Sequence, residues 1–331
     1  MSIIDARLQT ILAKTESSYG TDPTPTVGAN AMMPRVFDAN SPKIGEIEKP
    51  RVDAKHRTVG KQIGSISIPI KAEFELVGRT DSPLTEPQFG PFLKACGMVV
   101  AGTGGPPVDT QTYTFSSLAA QSSVTIYEYR FEQGGAGDAL QHEYNGCRFA
   151  WEIAGGVDAP CVITFNGEGL WGGITDGTPT VASLAFDDEV LDGANGKACT
   201  FTIGGVSTDI KSFTIKSGRE TMRRDSILGA HGVKEIFVTA KPGFVNEVSL
   251  DREVQLVADR DHWSRMLADT TKFAWSLSWS SAAGATVTIS GSKLQEGAFS
   301  YEDDGILRLK QTFYACDSSD TGDDAITIAF T

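Results

Sequence analysis

Gly64-Ser65-Ile66-Ser67-Ile68-Pro69-Ile70-Lys71-Ala72-Glu73-Phe74-Glu75-Leu76 alternates apolar with polar residues almost without interruption. A period of two sends successive side chains to opposite faces, so the segment reads as a strand with one buried face. Pro69 has no N–H to give to a ladder, which predicts an edge or a bulge at that point. The same pattern recurs outward from it. Residues 124–132 form a second strand, closed by Gly134-Gly135-Ala136-Gly137, and 148–153 and 161–165 flank a hairpin turn at Gly155-Gly156-Val157-Asp158. Later strands are predicted at 210–215, 235–240, 273–279, 285–289, 294–299 and 306–314, the last entered through Glu302-Asp303-Asp304-Gly305. Short helices are predicted at 87–96 and 261–268. Ile4, Leu8, Ile11 and Leu12 recur at helical spacing and predict an N-terminal helix. The fold class is mainly β: barrels or sandwiches, each with one short helix packed on it.

The second half repeats the first in register. Glu48, Arg51 and Asp53 read E-x-x-R-x-D, and so do Glu220, Arg223 and Asp225, 172 residues later. The same offset carries Gly60 onto Gly232, Ile66 onto Val238, Glu75 onto Glu247 and Leu76 onto Val248. Two tandem, related units are therefore expected, at residues 1–180 and 181–331, linked through a Gly-, Thr-, Pro- and Asp-rich stretch at 172–195 with a strand-like segment at 181–186. Each is long enough for its own core. Divided at 180, the halves carry net charges of −6 and −7 within a total of −13. So acidic a chain lacks the clustered Lys and Arg that tight nucleic-acid binding needs, although it does not exclude nucleic acid passing by.

The five cysteines are odd in number and make no C-x-x-C pair, which suits reduced thiols in a protein made in the cytoplasm. The N-terminus does not read as a signal peptide, and no apolar run is long enough for a membrane helix. No reaction centre stands out. His56, His142, His231 and His262 lack metal-ligand spacing, and Gly102-Thr103-Gly104-Gly105 is not followed by a phosphate-binding lysine. The acidic run at 317–324 lacks the order and terminal Glu of a calcium loop. Trp275 and Trp279, an even number apart with Phe273 and Leu277, share what looks like a core face. Neither catalysis nor a cofactor is expected.

Leu12-Ala13-Lys14-Thr15-Glu16-Ser17-Ser18-Tyr19-Gly20-Thr21-Asp22-Pro23-Thr24-Pro25-Thr26 resembles the start of tail tube proteins of long-tailed, non-contractile bacteriophages. Gly90-Pro91-Phe92-Leu93-Lys94-Ala95-Cys96-Gly97 is similar to a second feature of that family, a Gly-Pro-Leu-Leu-like turn into the helix. The resemblance implies a structural virion protein whose rings stack into a tube, the conduit for DNA ejection. It implies self-association as the main interaction, with tail terminator, tape measure and tail-tip proteins as further partners, no membrane, and a place in the virion tail after assembly in the host bacterial cytoplasm. The chain departs from single-domain members by its second unit, so three chains, a homotrimer, would supply six domains to a pseudo-sixfold ring. The alternative reading is a carbohydrate-binding β-sandwich module of a surface or secreted protein, with the tryptophans as its platform.

Two sets of residues follow as candidates. The charged loops at 45–60 and 218–232 precede an alternating strand in each half and are expected to be arms reaching the next ring or subunit. They carry Glu48, Arg51, Asp53 and Arg57, and Arg219, Glu220, Arg223, Arg224 and Asp225. An acidic channel lining is expected from Glu73, Glu75, Glu128, Glu132, Glu247 and Asp251, because a basic wall would hold the DNA that it should pass.

Overall fold

The computed structural model describes residues 4–331 apart from 40–41, 49–60, 79–85, 104–109, 117–120, 133–137, 158, 178–188, 191–198, 231, 241–245, 256–260, 268–271, 281–284, 304 and 319–323. The chain opens with a strand, β1 (Ile4–Thr15), and not with the helix that the Ile4-Leu8-Ile11-Leu12 spacing predicts. The reason lies in burial on both faces. Ile11 and Ala13 enter the main core, while Leu12 points the other way into a cluster with Tyr127, Tyr129 and Phe131. A strand covered on both sides has no alternation, and its consecutive apolar residues mimic a helical stripe.

After a short helix α1 (Val27–Asn30) come β2 (Ala31–Met32), β3 (Val36–Asp38), β4 (Lys43–Ile47) and the alternating strand β5 (Gln62–Glu75). Ile68, Ile70, Ala72 and Phe74 of β5 are buried. Pro69 sits where β5 changes neighbour: β4 pairs with it up to Ser67, and β3 from Lys71 onward. Its missing N–H therefore falls in the gap between two ladders, which is how a proline is accommodated inside a sheet. β6 (Val77–Gly78) leads to α2 (Gly90–Ala95), with Pro91 in its first turn. The ring of Phe92 lies 5.4 Å from Phe74, 4.8 Å from Phe149 and 5.2 Å from Phe165, so this short helix is fixed by packing more than by its own hydrogen bonds.

β7 (Met98–Thr103), β8 (Thr110–Phe115), β9 (Val124–Glu132), β10 (Ala139–Gly156) and β11 (Ala159–Gly177) complete the first part. The second has β12 (Glu189–Val190), β13 (Cys199–Ile203), β14 (Val206–Thr208), β15 (Ile210–Lys216), β16 (Arg219–Ala230), β17 (Val233–Ala240) and β18 (Asn246–Glu253). It ends with α3 (His262–Leu267), β19 (Phe273–Ser280), β20 (Thr286–Asp303), β21 (Leu307–Cys316) and β22 (Thr327–Phe330).

One antiparallel strand order occurs twice. β3-β5-β11-β10 runs through the first part and β15-β18-β21-β20 through the second; each ends on a long strand that also pairs with its predecessor, β9 or β19. In both, a short helix separates the second strand from that predecessor. β10 holds the two series together. Its first half pairs with β9, a bulge follows at 145–148, and Glu152–Gly156 then pair with Lys216–Ser212 of β15. Gly155 is needed there, because a Cβ on it would lie 2.7 Å from the ring of Phe213. The C-terminal β22 pairs with β20 on one side and β8 on the other. These exchanges merge the interiors, and one hydrophobic cluster runs from Ile11 to Phe330. Followed ladder by ladder, the main sheet branches but never returns on itself, so the architecture is an open, sandwich-like sheet and not a closed barrel.

Candidate assembly surfaces

β16 and β17 form a two-stranded arm outside the main sheet, paired from Arg219↔Ala240 to Arg224↔Glu235. Its inner face rests on the first part of the chain through Val233 and Ile236, which cluster with Leu170 and Tyr19. Hydrogen bonds fix the dock. Gln121 accepts from the Val238 amide at 2.9 Å and donates to its carbonyl at 2.5 Å, and the Tyr19 hydroxyl accepts from the Ile236 amide at 2.7 Å. Buried Arg148 donates to the Ile236 carbonyl at 2.5 Å and the Gln121 carbonyl at 2.9 Å, meets Glu235 at 3.1 Å, and lies 4.9 Å above the Tyr19 ring. Burial pushes the Tyr19 hydroxyl well above its ordinary range, so it stays neutral in this setting.

The stretch 14–24 builds this socket. Buried Glu16 accepts hydrogen bonds from the Gly20 amide at 2.7 Å, Ser123 Oγ at 2.5 Å, Thr125 Oγ1 at 2.7 Å and the Gly146 amide at 2.7 Å. Asp22 accepts from the Thr24 amide at 2.8 Å and from the Tyr127 hydroxyl, while Lys14 donates to the Pro23 carbonyl at 2.8 Å. The residue pattern that drew notice in the sequence is thus a hydrogen-bonded turn that presents Tyr19 to the arm.

The candidate arm residues divide. Arg219 is laid over the Phe115 ring at 4.1 Å, and Arg223 pairs with Asp225 at 2.8 Å and reaches Ser67 Oγ at 3.3 Å. Glu220 is half-buried and Arg224 exposed. Beyond the ladder, Ile227 and Leu228 at the tip are 102% and 96% exposed, an apolar pair that the charge-based reading overlooked. Glu48 follows β4 and is exposed; Arg51, Asp53 and Arg57, like His56 and His231, lie outside the described residues.

The outward face of the joined sheet is polar. One row crosses eight strands as Val36, Glu73, Thr164, Glu152, Lys216, Glu247, Tyr314 and Gln295. On this face ladder parity places Glu73, Glu75, Glu152, Glu168, Glu247, Asp251, Glu253 and Glu302 together with Lys43, Lys71, Arg148, Lys216, Lys293, Arg308 and Lys310, a slight excess of carboxylates. Glu73 is 3.6 Å from Arg35, Glu247 3.8 Å from Lys216, and Asp251, nearly covered, 3.7 Å from Arg308. Glu132 stands apart on β9, half-buried. Glu128 is fully buried, 2.7 Å from Arg130 and accepting from the Tyr144 hydroxyl at 2.8 Å, so it leaves the set of lining candidates: its charge is spent inside the fold.

Set beside known proteins, the chain matches a family model described as phage tail tube protein over residues 6–331. The chain belongs to the phage tail tube family. No curated protein matches it. Membership makes it a structural protein of the virion tail, of a family that self-assembles into tubes and contacts other tail proteins.

Other candidates in the tail tube protein have structural work of their own. Trp151, Trp275 and Trp279 are buried, as is Leu277, so three of the tryptophans are in no position to offer a sugar platform. Asp317 and Asp324, at the ends of the acidic run, accept from the Ala325 and Ser318 amides at 2.9 and 2.7 Å, which closes the turn. Among the described residues no group of His, Cys, Asp and Glu is arranged to hold a metal ion, and no helix is long and apolar enough to cross a membrane. Sequence reading missed the socket of Glu16, Tyr19, Gln121 and Arg148. Its members are spread along the chain, and only Glu16 and Tyr19 lie in a stretch that drew notice, as a family resemblance.

Proposed function

We propose that three copies of this chain close into a pseudo-sixfold ring, that rings stack into the tail tube, and that the tube conducts DNA during ejection. The twofold occurrence of one strand order, joined edge to edge at β10–β15, carries the reading. It supports two related units, 1–180 and 181–331, with one unit-to-unit junction already made inside the chain. Open sheet edges are hazards unless a neighbour covers them, and a ring covers all of them at once. On this reading the protein is structural and not catalytic, meets tail terminator, tape measure and tail-tip proteins at the tube's ends and bore, and assembles in the host bacterial cytoplasm before joining the virion.

The acidic outward face of the joined sheet is the proposed channel wall, with Glu73, Glu75, Glu247 and Asp251 joined by Glu152 and Glu168, and with Glu132 at its margin. Of the cations there, Lys71, Lys216, Arg308 and Lys310 are each beside a carboxylate, which leaves few to grip phosphate. The arms, one from each unit, are the proposed ring-to-ring contacts. Native mass spectrometry of isolated rings, with negative-stain class averages, tests the assembly: three chains per sixfold-looking ring is the expected result. Six chains per ring, or a protein that stays monomeric at high concentration, would overturn it.

A further inference from the structure

Inside the chain, the end of β10 shows what a satisfied junction looks like. β15 lies along it, Phe213 covers the core side at 5.1 Å from Trp279, and Trp151 and Ile153 of β10 are 2% and 0% exposed. β20 holds the place of β10 in the second series, yet among the described residues no strand pairs with its outer edge beyond Leu294. The core side there is only partly covered among the described residues. Phe299 and Tyr301 point the same way as the buried Leu309 and Gln311, and Trp263 of α3 packs on Phe299 at 4.9 Å. Even so, Trp263 is 56%, Tyr301 48% and Leu267 75% exposed. At the other end of the chain β3 holds the place of β15. Among the described residues it makes a single ladder, with β5, and it carries Phe37 at its centre, half-buried, where β15 carries Phe213.

We infer that the β20–α3 end is the docking surface for β3 of a second copy of this chain, with Phe37 closing over Trp263, Phe299 and Tyr301. The occupant is chosen by the chain's own template: the strand type that covers β10 internally is present once more, at an open edge, and the open β20 is its counterpart. The contact is heterologous, head to tail, so it propagates until rotation closes it. It rests on the ring reading above and adds to it the surface through which rings close.

The test uses full-length chains. Phe37→Cys and Tyr301→Cys are made separately and co-expressed, and purified rings are treated with a short bis-maleimide. A two-chain product in the mixture, absent from either variant alone, is expected. Trp263→Ser, with its fold checked by circular dichroism, should weaken chain association about 30- to 1,000-fold, as truncation of a buried interface aromatic does. Wild-type rings that form while the mixed variants give no cross-linked product would overturn this interface and leave the ring standing. Wild-type chains that never assemble would remove both. Full association of a folded Trp263→Ser chain would also refute it, as would protection of the patch only when another tail protein is added.

Discussion

At the scale of single residues, burial of charge decides more than the count of charge. Glu16 is one carboxylate with four donors around it, which offsets the loss of water and makes the turn before Tyr19 rigid. Glu16→Ala would leave buried amides and hydroxyls without an acceptor, at a cost of about 3–5 kcal/mol by analogy with broken buried ion networks. Glu16→Gln, which keeps one acceptor oxygen, should lose less; chemical denaturation of both variants checks the order. A second buried network in the other half behaves alike. Arg252 meets His262 Nδ1 at 2.9 Å and Gln311 Oε1 at 2.6 Å, and Gln311 in turn donates to Glu296 at 3.0 Å. Glu296→Ala should therefore destabilise the fold by about 3–5 kcal/mol and loosen α3 from the sheet, read as faster amide exchange in residues 262–267. Neither network was legible in the sequence. Glu16, Glu128, Arg148 and Arg252 look like surface charges until their distant neighbours along the chain are known.

At the scale of elements, alternation was a reliable guide wherever one face of a strand is wet. Residues 64–76 announced β5, and 273–279 announced β19 with its buried Trp275, Leu277 and Trp279. It failed where both faces are covered, at β1, and it split β20 into two strands because Ser290-Gly291-Ser292 look like a turn. Gly291 is instead a close approach: a Cβ there would lie 2.2 Å from the Ala325 carbonyl oxygen. The arm β16–β17 was visible as a charged loop, but its apolar tip changes the expected chemistry. Two fully exposed aliphatic side chains together are costly in water and suit burial against another molecule. With Ile227 and Leu228 both changed to Ser, rings should form normally while tubes fail or shorten. The root of the arm, held by Gln121, Arg148 and Tyr19, is untouched by that change. Tubes of ordinary length in electron micrographs of the double variant would remove the tip from the stacking contact.

At the scale of the whole molecule, the question is what the acidic face of the joined sheet does. Its row from Val36 to Gln295 spans eight strands of one chain, and three such rows end to end would line a ring. If that face is the channel wall proposed above, DNA moving past it would be repelled weakly and kept in water, whereas each phosphate held by an added cation would contribute salt-dependent affinity. Changing Glu75, Glu152 and Glu247 to Lys places one cation on each of three alternate strands, β5, β10 and β18, without touching the buried side of the sheet. The variant rings should bind short duplex DNA at low salt, and three phosphate contacts per chain make that affinity fall steeply between about 50 and 200 mM salt. Wild-type rings should bind none. Electron microscopy of the variant complex then places the duplex: density along the ring axis is the expected outcome. A duplex bound on the outer rim would assign the acidic face to the tube's exterior, where its charge serves solubility instead.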